Sequence, residues 1–235
     1  MPRLKWINDE KLEKEVCNLL AIAKKAHKAT EERFGKNVID PFAAIFEMSG
    51  FGLDYNAWFK NEISRQAQKS LQNHVGNFHQ NILGHCAEWV NKETGNVIDL
   101  TSANKKIIAE IKNKYNTISG GKLSDLYHSL DNLVSPKTSI YKGYTAYYVA
   151  IIPKKPERYD KPFTPSDKEK GEKCPSNENI REIDGASFYH LVTGHENALK
   201  ELYEVLPLVI KDCSNEKFEI KDTDKLMKFF NSAFG

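Results

Sequence analysis

Residues 96–114 read NVIDLTSANKKIIAEIKNK: two short apolar runs, each interrupted by charge, around a polar Ala-Asn-Lys break. Runs of four to eight residues rich in β-branched side chains, separated by turn-formers, read as strands. The pattern predicts a hairpin, with HCAEWVN before it and Glu-Thr-Gly at 93–95 as the preceding turn. The expectation is an antiparallel meander of three strands at 85–91, 96–102 and 106–113. Side chains alternate across a strand, so Glu110 and Lys112 share one face while Ile107, Ala109 and Ile111 point to the other. A turn centred on Ala103 and Asn104 would set Asp99 opposite Ile108, a small register shift from Glu110. Two carboxylates brought together repel unless a cation or the lysine compensates.

The rest of the chain supplies a frame for this hairpin. Downstream, KLSDLYHSLDNLV (122–134) has apolar residues at helical spacing, and YTAYYVAII (144–152) reads as a buried strand. A strand, a helix and a strand form a crossover unit, which makes the third and fourth strands parallel neighbours in a mixed sheet. Upstream lie three helical stretches: residues 10–34, a second opened by Asp40 and Pro41, and a long one over 55–83. The last is rich in Asn, Gln and His, and Gly76 is a place for it to bend. Residues 153–179 hold five of the nine prolines and many charges, and read as a surface excursion or as a loop that reaches round a ligand. IREID (180–184) follows as an edge strand, then a short helix between Asp184 and Gly194, and two further helices. The fold class is therefore α/β with a central mixed sheet (α+β in character), flanked by helices and preceded by a helical region. The expected organisation is one domain over 1–235: an N-terminal helical region at 1–84, a core at 85–152 that carries the charged hairpin, a loop at 153–179, and the C-terminal strand and helices at 180–235.

Composition limits the function classes. The 235 residues are 40% hydrophobic and 28% charged, as in a globular protein with a full core, and the formal net charge of +2 argues against a histone-like basic binder. Cys17, Cys86, Cys174 and Cys213 are scattered without a CxxC pair, so free thiols in a reducing bacterial cytoplasm are expected, with neither a disulfide framework nor a cysteine zinc site. His74, His79 and His85 are five and six residues apart and fall on different faces of a helix. No apolar run reaches the roughly 20 residues that span a bilayer, so no membrane partner is expected.

The acid, acid and lysine pattern has decoys at Asp9–Lys11 and Glu219–Lys221. Only Asp99, Glu110 and Lys112 lie on adjacent apolar strands joined by a tight turn. Oxygen donors in this number suit Mg2+, which binds through one or two carboxylates plus substrate phosphate. At these residues the chain resembles the PD-(D/E)XK nuclease superfamily, and within it Type II restriction endonucleases. The family's order of helix, meander, helix and strand matches residues 55–152, and its proline before the first acid is replaced by Ile98. The stretches NFHQNILG (77–84), VIDLTSANKKIIAEIKNKYNTISGG (97–121) and IDGASFYHLVTG (183–194) resemble a subgroup that reads the palindrome GGNCC.

The resemblance implies a restriction-endonuclease-like core and Mg2+-dependent hydrolysis of double-stranded DNA. It makes Asp99 and Glu110 metal-binding acids, the backbone carbonyl of Ile111 a further ligand, and Lys112 the catalytic lysine. One upstream acid, Glu47, Glu62 or Glu88, is available to join them. Asn113, Lys114, Asn116, Ser119 and Lys122 directly follow the catalytic strand and offer donors to DNA, and Gly120–Gly121 admits close backbone approach. Lys154, Lys155 and Arg158 in the loop add positive charge. A palindromic target implies a homodimer, with the 55–83 helix and the C-terminal helices as candidate dimer surfaces, and a cognate DNA methyltransferase as functional rather than physical partner. Two other readings remain: a repair or junction-cutting nuclease of the same fold, and a DNA-binding module with a vestigial site.

Overall fold

The computed structural model describes residues 2–32, 34, 38–92, 97–214 and 218–235. The expected turn at 93–95 and the start of the second strand at residue 96 lie outside the described residues. The chain divides into two compact units, Met1–Val16 with Gly76–Gly235, and Cys17–Val75. Helices α1 (Asp9–Glu32) and α3 (Tyr55–Gly84) each run through both. The second boundary falls at Gly76, the glycine singled out within the long helix.

The smaller unit is helical. Asp40 caps α2 (Pro41–Phe51) by accepting the N–H groups of Phe42 and Ala43, and Gly52, at φ 65°, ends it in the left-handed conformation that glycine adopts freely. Asp54 accepts from Ala57 N–H at 2.8 Å as α3 begins. Phe34, Tyr55, Trp58 and Phe59 form an aromatic cluster, while α2 leaves Phe42, Ile45, Phe46 and Phe51 exposed.

The larger unit is built on a six-stranded sheet in the order β1-β2-β3-β4-β8-β5. Its strands are β1 (Val90–Asn91), β2 (Leu100–Ser102), β3 (Ile107–Lys114), β4 (Thr145–Ile152), β5 (Asp160–Pro162) and β8 (Ile180–Asp184). Strands β1, β2 and β3 are antiparallel neighbours, and β3, β4 and β8 are parallel. The helix α4 (Gly120–Val134) makes the expected crossover between β3 and β4. Strand β4 is buried through six of its eight residues, as parallel strands covered on both faces must be. On one face Tyr127, Leu130 and Val134 of α4 pack with Ile108, Ala146, Tyr148 and Ile180. On the other, Phe188 of α5 (Gly185–Thr193) meets Trp89 and Tyr147 edge-on or tilted. Asp184 caps α5 through Ser187 N–H, and Gly194, at φ 75°, ends it. Gly185 is required where it stands, because a Cβ there would lie 2.3 Å from the carbonyl oxygen of Ile151. Helices α6 (Ala198–Cys213) and α7 (Thr223–Phe234) complete the chain.

Four expectations are corrected. The first strand is two residues rather than seven: α3 continues to Gly84, and the N–H groups of His85 and Cys86 still bond back to its last carbonyls. The strand β8 is interior, not an edge, because β5 pairs along its outer side. That edge comes from the 153–179 segment, which is no mere excursion. Besides β5 it forms a hairpin of β6 (Ser166–Asp167) and β7 (Glu172–Lys173), and it buries Phe163 and Cys174 in the core. Its prolines are compatible with this because an edge strand leaves one row of N–H groups without ladder partners. Finally, Cys86 and Cys174 are free thiols, whereas Cys17 is disulfide-bonded, against the expectation of free thiols throughout. No helix among the described residues is long and apolar enough to cross a membrane.

Candidate active site

The β2–β3 hairpin decides the geometry. Leu100 pairs with Ala109, Thr101 with Ile108 and Ser102 with Ile107, so the turn centres between Asn104 and Lys105. That is one residue beyond the expected centre, and it moves the partner of Asp99 from Ile108 to Glu110. Past the end of β2 the ladder slips by one residue, with Asp99 N–H donating to Ala109 C=O at 2.9 Å, while Lys92 N–H donates to Asp99 C=O at 2.8 Å and continues the β1–β2 pairing.

The three charged side chains converge. Asp99 Oδ2 accepts the backbone N–H of Ile111 at 2.6 Å, which ties the acid to β3. Glu110 Oε1 is ion-paired with Lys112 Nζ, two residues along the same face. The carboxyl groups of Asp99 and Glu110 are neighbours whose charges act on each other. Glu110 Oε2 is buried with no hydrogen-bond partner.

Electrostatics follow from that crowding. Burial raises the Asp99 carboxyl above its ordinary value, against the Ile111 N–H and the Lys112 charge, which both lower it. Burial, then the Asp99 charge, push Glu110 up to about 7 despite its contact with Lys112. A buried carboxylate oxygen without a donor costs free energy, and a second acid beside it adds to that cost. A divalent cation would relieve both, and oxygen donors from two carboxylates suit a hard ion.

The other named residues divide. Ile111 contributes its N–H to Asp99, and its side chain is buried. Glu88 is held by Asn104 at 2.8 Å, at the hairpin tip and so at the far end from Asp99 and Glu110. Glu47 and Glu62 belong to the smaller unit. There Glu47 accepts from Trp58 Nε1, and Glu62 is bound by Arg65 and Gln66, with Arg65 holding it below its ordinary range.

Of the residues offered for DNA, Lys114, Asn116, Ser119 and Lys122 are exposed along the β3–α4 connection. Ser119 occupies the N-cap position of α4, but its hydroxyl makes no capping bond. Asn113 is different, since its Oδ1 is buried without a partner on the sheet face opposite Glu110. Its Cβ lies against Gly76, 3.8 Å from where a glycine Cβ would be. Lys154 and Lys155 are exposed. Arg158 is committed to the fold: it donates to the carbonyls of Ala186 and Glu196.

Sequence reasoning missed one further group. Among the described residues His128, Asp167 and Cys174 come together, with ligand atoms all within 4.8 Å of one another. Separations of 39 and 7 residues match no metal motif, and only the fold of 153–179 against α4 reveals the cluster.

The model of the Eco47II restriction endonuclease family matches residues 4–215. The chain belongs to the Eco47II restriction endonuclease family. It is 52% identical over 240 residues to the Type II restriction enzyme Eco47II of Escherichia coli, covering 100% of both chains. It is 32% identical over 213 residues to the Type II restriction enzyme Sau96I of Staphylococcus aureus, covering 89% of this chain and 80% of that one. This member of the Eco47II family is therefore a type II site-specific endonuclease with a restriction-endonuclease-like mixed α/β fold.

Proposed function

We propose that the chain cuts both strands of double-stranded DNA at the palindrome GGNCC, using Mg2+ at a PD-(D/E)XK site made of Asp99, Glu110 and Lys112. The observation that carries this reading is Glu110 Oε2, a buried oxygen without a donor beside a second carboxyl group. Asp99, Glu110 and the Ile111 carbonyl are the proposed ligands. When bound, the cation polarises the scissile phosphate and lowers the pKa of a coordinated water. Asp99 holds its position through the Ile111 N–H, which leaves its other oxygen for the metal. Lys112, half-buried and paired with Glu110, orients the attacking water or takes its proton, and offsets charge developing on the phosphate. The products are 5′-phosphate and 3′-hydroxyl ends.

Around the site, Lys114, Asn116, Ser119 and Lys122 are read as phosphate and backbone contacts, with the N-terminus of α4 beside them. Asn113 is read as a DNA-contacting residue held at the end of the catalytic strand. A palindrome calls for a two-fold reader, so we read the chain as one nuclease subunit of a homodimer. Its expected setting is the bacterial cytoplasm, beside a methyltransferase that protects the same sequence without binding this chain.

The test is incubation of the purified protein with unmethylated phage DNA, with and without Mg2+. Discrete fragments ending at GGNCC, formed only with the metal, are expected. Discrete fragments at another sequence would refute the GGNCC target, and cutting only at junctions or flaps would favour the repair-nuclease reading. Metal-independent cutting would remove the roles given to Asp99 and Glu110, and binding without cutting would reduce the site to a vestige.

A further inference from the structure

We propose that His128, Asp167 and Cys174 form a second metal site, for Zn2+, that fastens the β6–β7 hairpin to α4. The three residues come from distant places in the chain. His128 lies on α4, Asp167 on β6, and Cys174 directly after β7. Their donor atoms lie within 4.8 Å of one another, and His128 Nε2 is 3.3 Å from Asp167 Oδ2.

That distance suits ligation. With Zn–N and Zn–O bonds of about 2.0–2.2 Å, a tetrahedral ion sets a nitrogen and an oxygen ligand about 3.4 Å apart. Cys174 and Asp167 are buried and His128 is partly exposed, which leaves the fourth position open to water. The carboxylate is already oriented: Asp167 Oδ1 accepts the backbone N–H groups of Glu169 and Lys170, leaving Oδ2 for the ion. Lys170 Nζ, 3.8 Å from Oδ2, is the competing cation, and its side chain is exposed and free to move aside.

The donor set also selects the ion. Imidazole, carboxylate and thiolate favour a borderline-soft cation and disfavour Mg2+, so this site and the oxygen-only pair at Asp99 and Glu110 would take different metals. The site has work to do in the fold. Strands β6 and β7 are two residues each, joined through Gly171 at φ 70°, and a lone two-stranded ribbon of that size is marginal. The clamp would tie it to the helix that directly follows the catalytic strand.

The experiment strips the full-length protein with EDTA, keeps it reduced with a non-chelating phosphine, and restores Zn2+. Bound zinc is counted after gel filtration, and thermal unfolding is followed in parallel. One zinc per chain is expected, with an unfolding temperature raised by about 5–10 °C at free zinc a hundredfold over the dissociation constant. Substituting Co2+ should give a thiolate-to-cobalt charge-transfer band. His128→Ala, a change at a partly exposed position, and Cys174→Ser should each lose the zinc and its thermal shift, and Cys174→Ser the band. Asp99→Ala/Glu110→Ala should keep all three. A wild-type chain that takes up no zinc overturns the proposal. So does a His128→Ala/Cys174→Ser chain that still binds one zinc with the same shift.

Discussion

Replacing Glu110 by Gln should stabilise the metal-free protein while abolishing cutting. Burial and Asp99 push the Glu110 carboxyl from 4.5 to about 7 in the fold. A group whose folded pKa lies above its unfolded value gives stability that is full below the unfolded pKa and lost as pH rises through the folded one. At about 1.4 kcal/mol per pH unit, the wild-type chain has lost about 3 kcal/mol by pH 8 and less than about 1 kcal/mol by pH 5. Its side chain is 13% exposed, so solvent screening discounts this little. Gln keeps the size and an acceptor for Lys112 but carries no charge. With 2–4 °C per kcal/mol for a chain of this size, the variant should melt about 6–12 °C higher at pH 8 in EDTA, and within a few degrees of wild type at pH 5. Added Mg2+ should narrow the pH 8 gap, because only wild type retains both ligands. Calorimetry at the two pH values, with a plasmid digest alongside, is the assay. A Glu110→Gln chain that melts at or below wild type at pH 8 would refute the argument, because Glu110 would then be a satisfied surface acid.

The remaining predictions concern other groups. Burial lowers His79 to about 4, while the buried Tyr189 stays protonated and shares a hydrogen bond with its Nδ1 at 2.8 Å. This is the opposite sign: a base with a depressed folded pKa loses stability as pH falls from about 6.5 toward 4, costing about 2 kcal/mol at pH 5. His79→Gln should therefore flatten the acid side of the melting profile, and an unchanged slope would show that His79 titrates normally. Lys112→Ala should lower the single-turnover cutting rate by about 10²–10⁴ while metal-free DNA binding by anisotropy changes little; near-normal cutting would remove the lysine from the mechanism. Sedimentation equilibrium should give twice the 26.8 kDa chain mass, and a monomer at micromolar concentration bound to its target would contradict the two-fold reading.

How much of this was legible in the sequence depended on whether an element answers to its own residues or to its neighbours. The crossover over 106–152 was readable because hydrophobic period, turn chemistry and chain connectivity agree there, and the structure carries it out as β3, α4 and β4. The caps at Asp40 and Asp184 were readable for the same reason: a short acid before an apolar run satisfies the first N–H groups of the helix locally. The 85–91 strand failed because nothing in HCAEWVN announces that the chain turns off the end of α3 through 85–89 before it pairs at Val90. The 153–179 segment failed because proline and charge describe what a strand cannot do in the middle of a sheet, and β5 lies at its rim. There the decision is tertiary: Arg181 on β8 holds Asp160 on β5 at 2.6 Å, an attraction between residues 21 apart.

The same distinction explains why Asp99 sits just outside β2. A carboxylate inside the ladder would face its neighbours at fixed spacing and could not turn toward the next strand. Once the ladder ends at Leu100, the side chain is free to accept the Ile111 N–H itself, so Asp99 extends the hairpin with its carboxylate where β2 has stopped. One oxygen thereby performs a structural task and positions the other beside Glu110. The charges that interrupt the two apolar runs are thus consistent with strands. The backbone needs an acceptor at the end of β2, the proposed metal needs an oxygen, and a single aspartate one residue beyond the ladder can provide both.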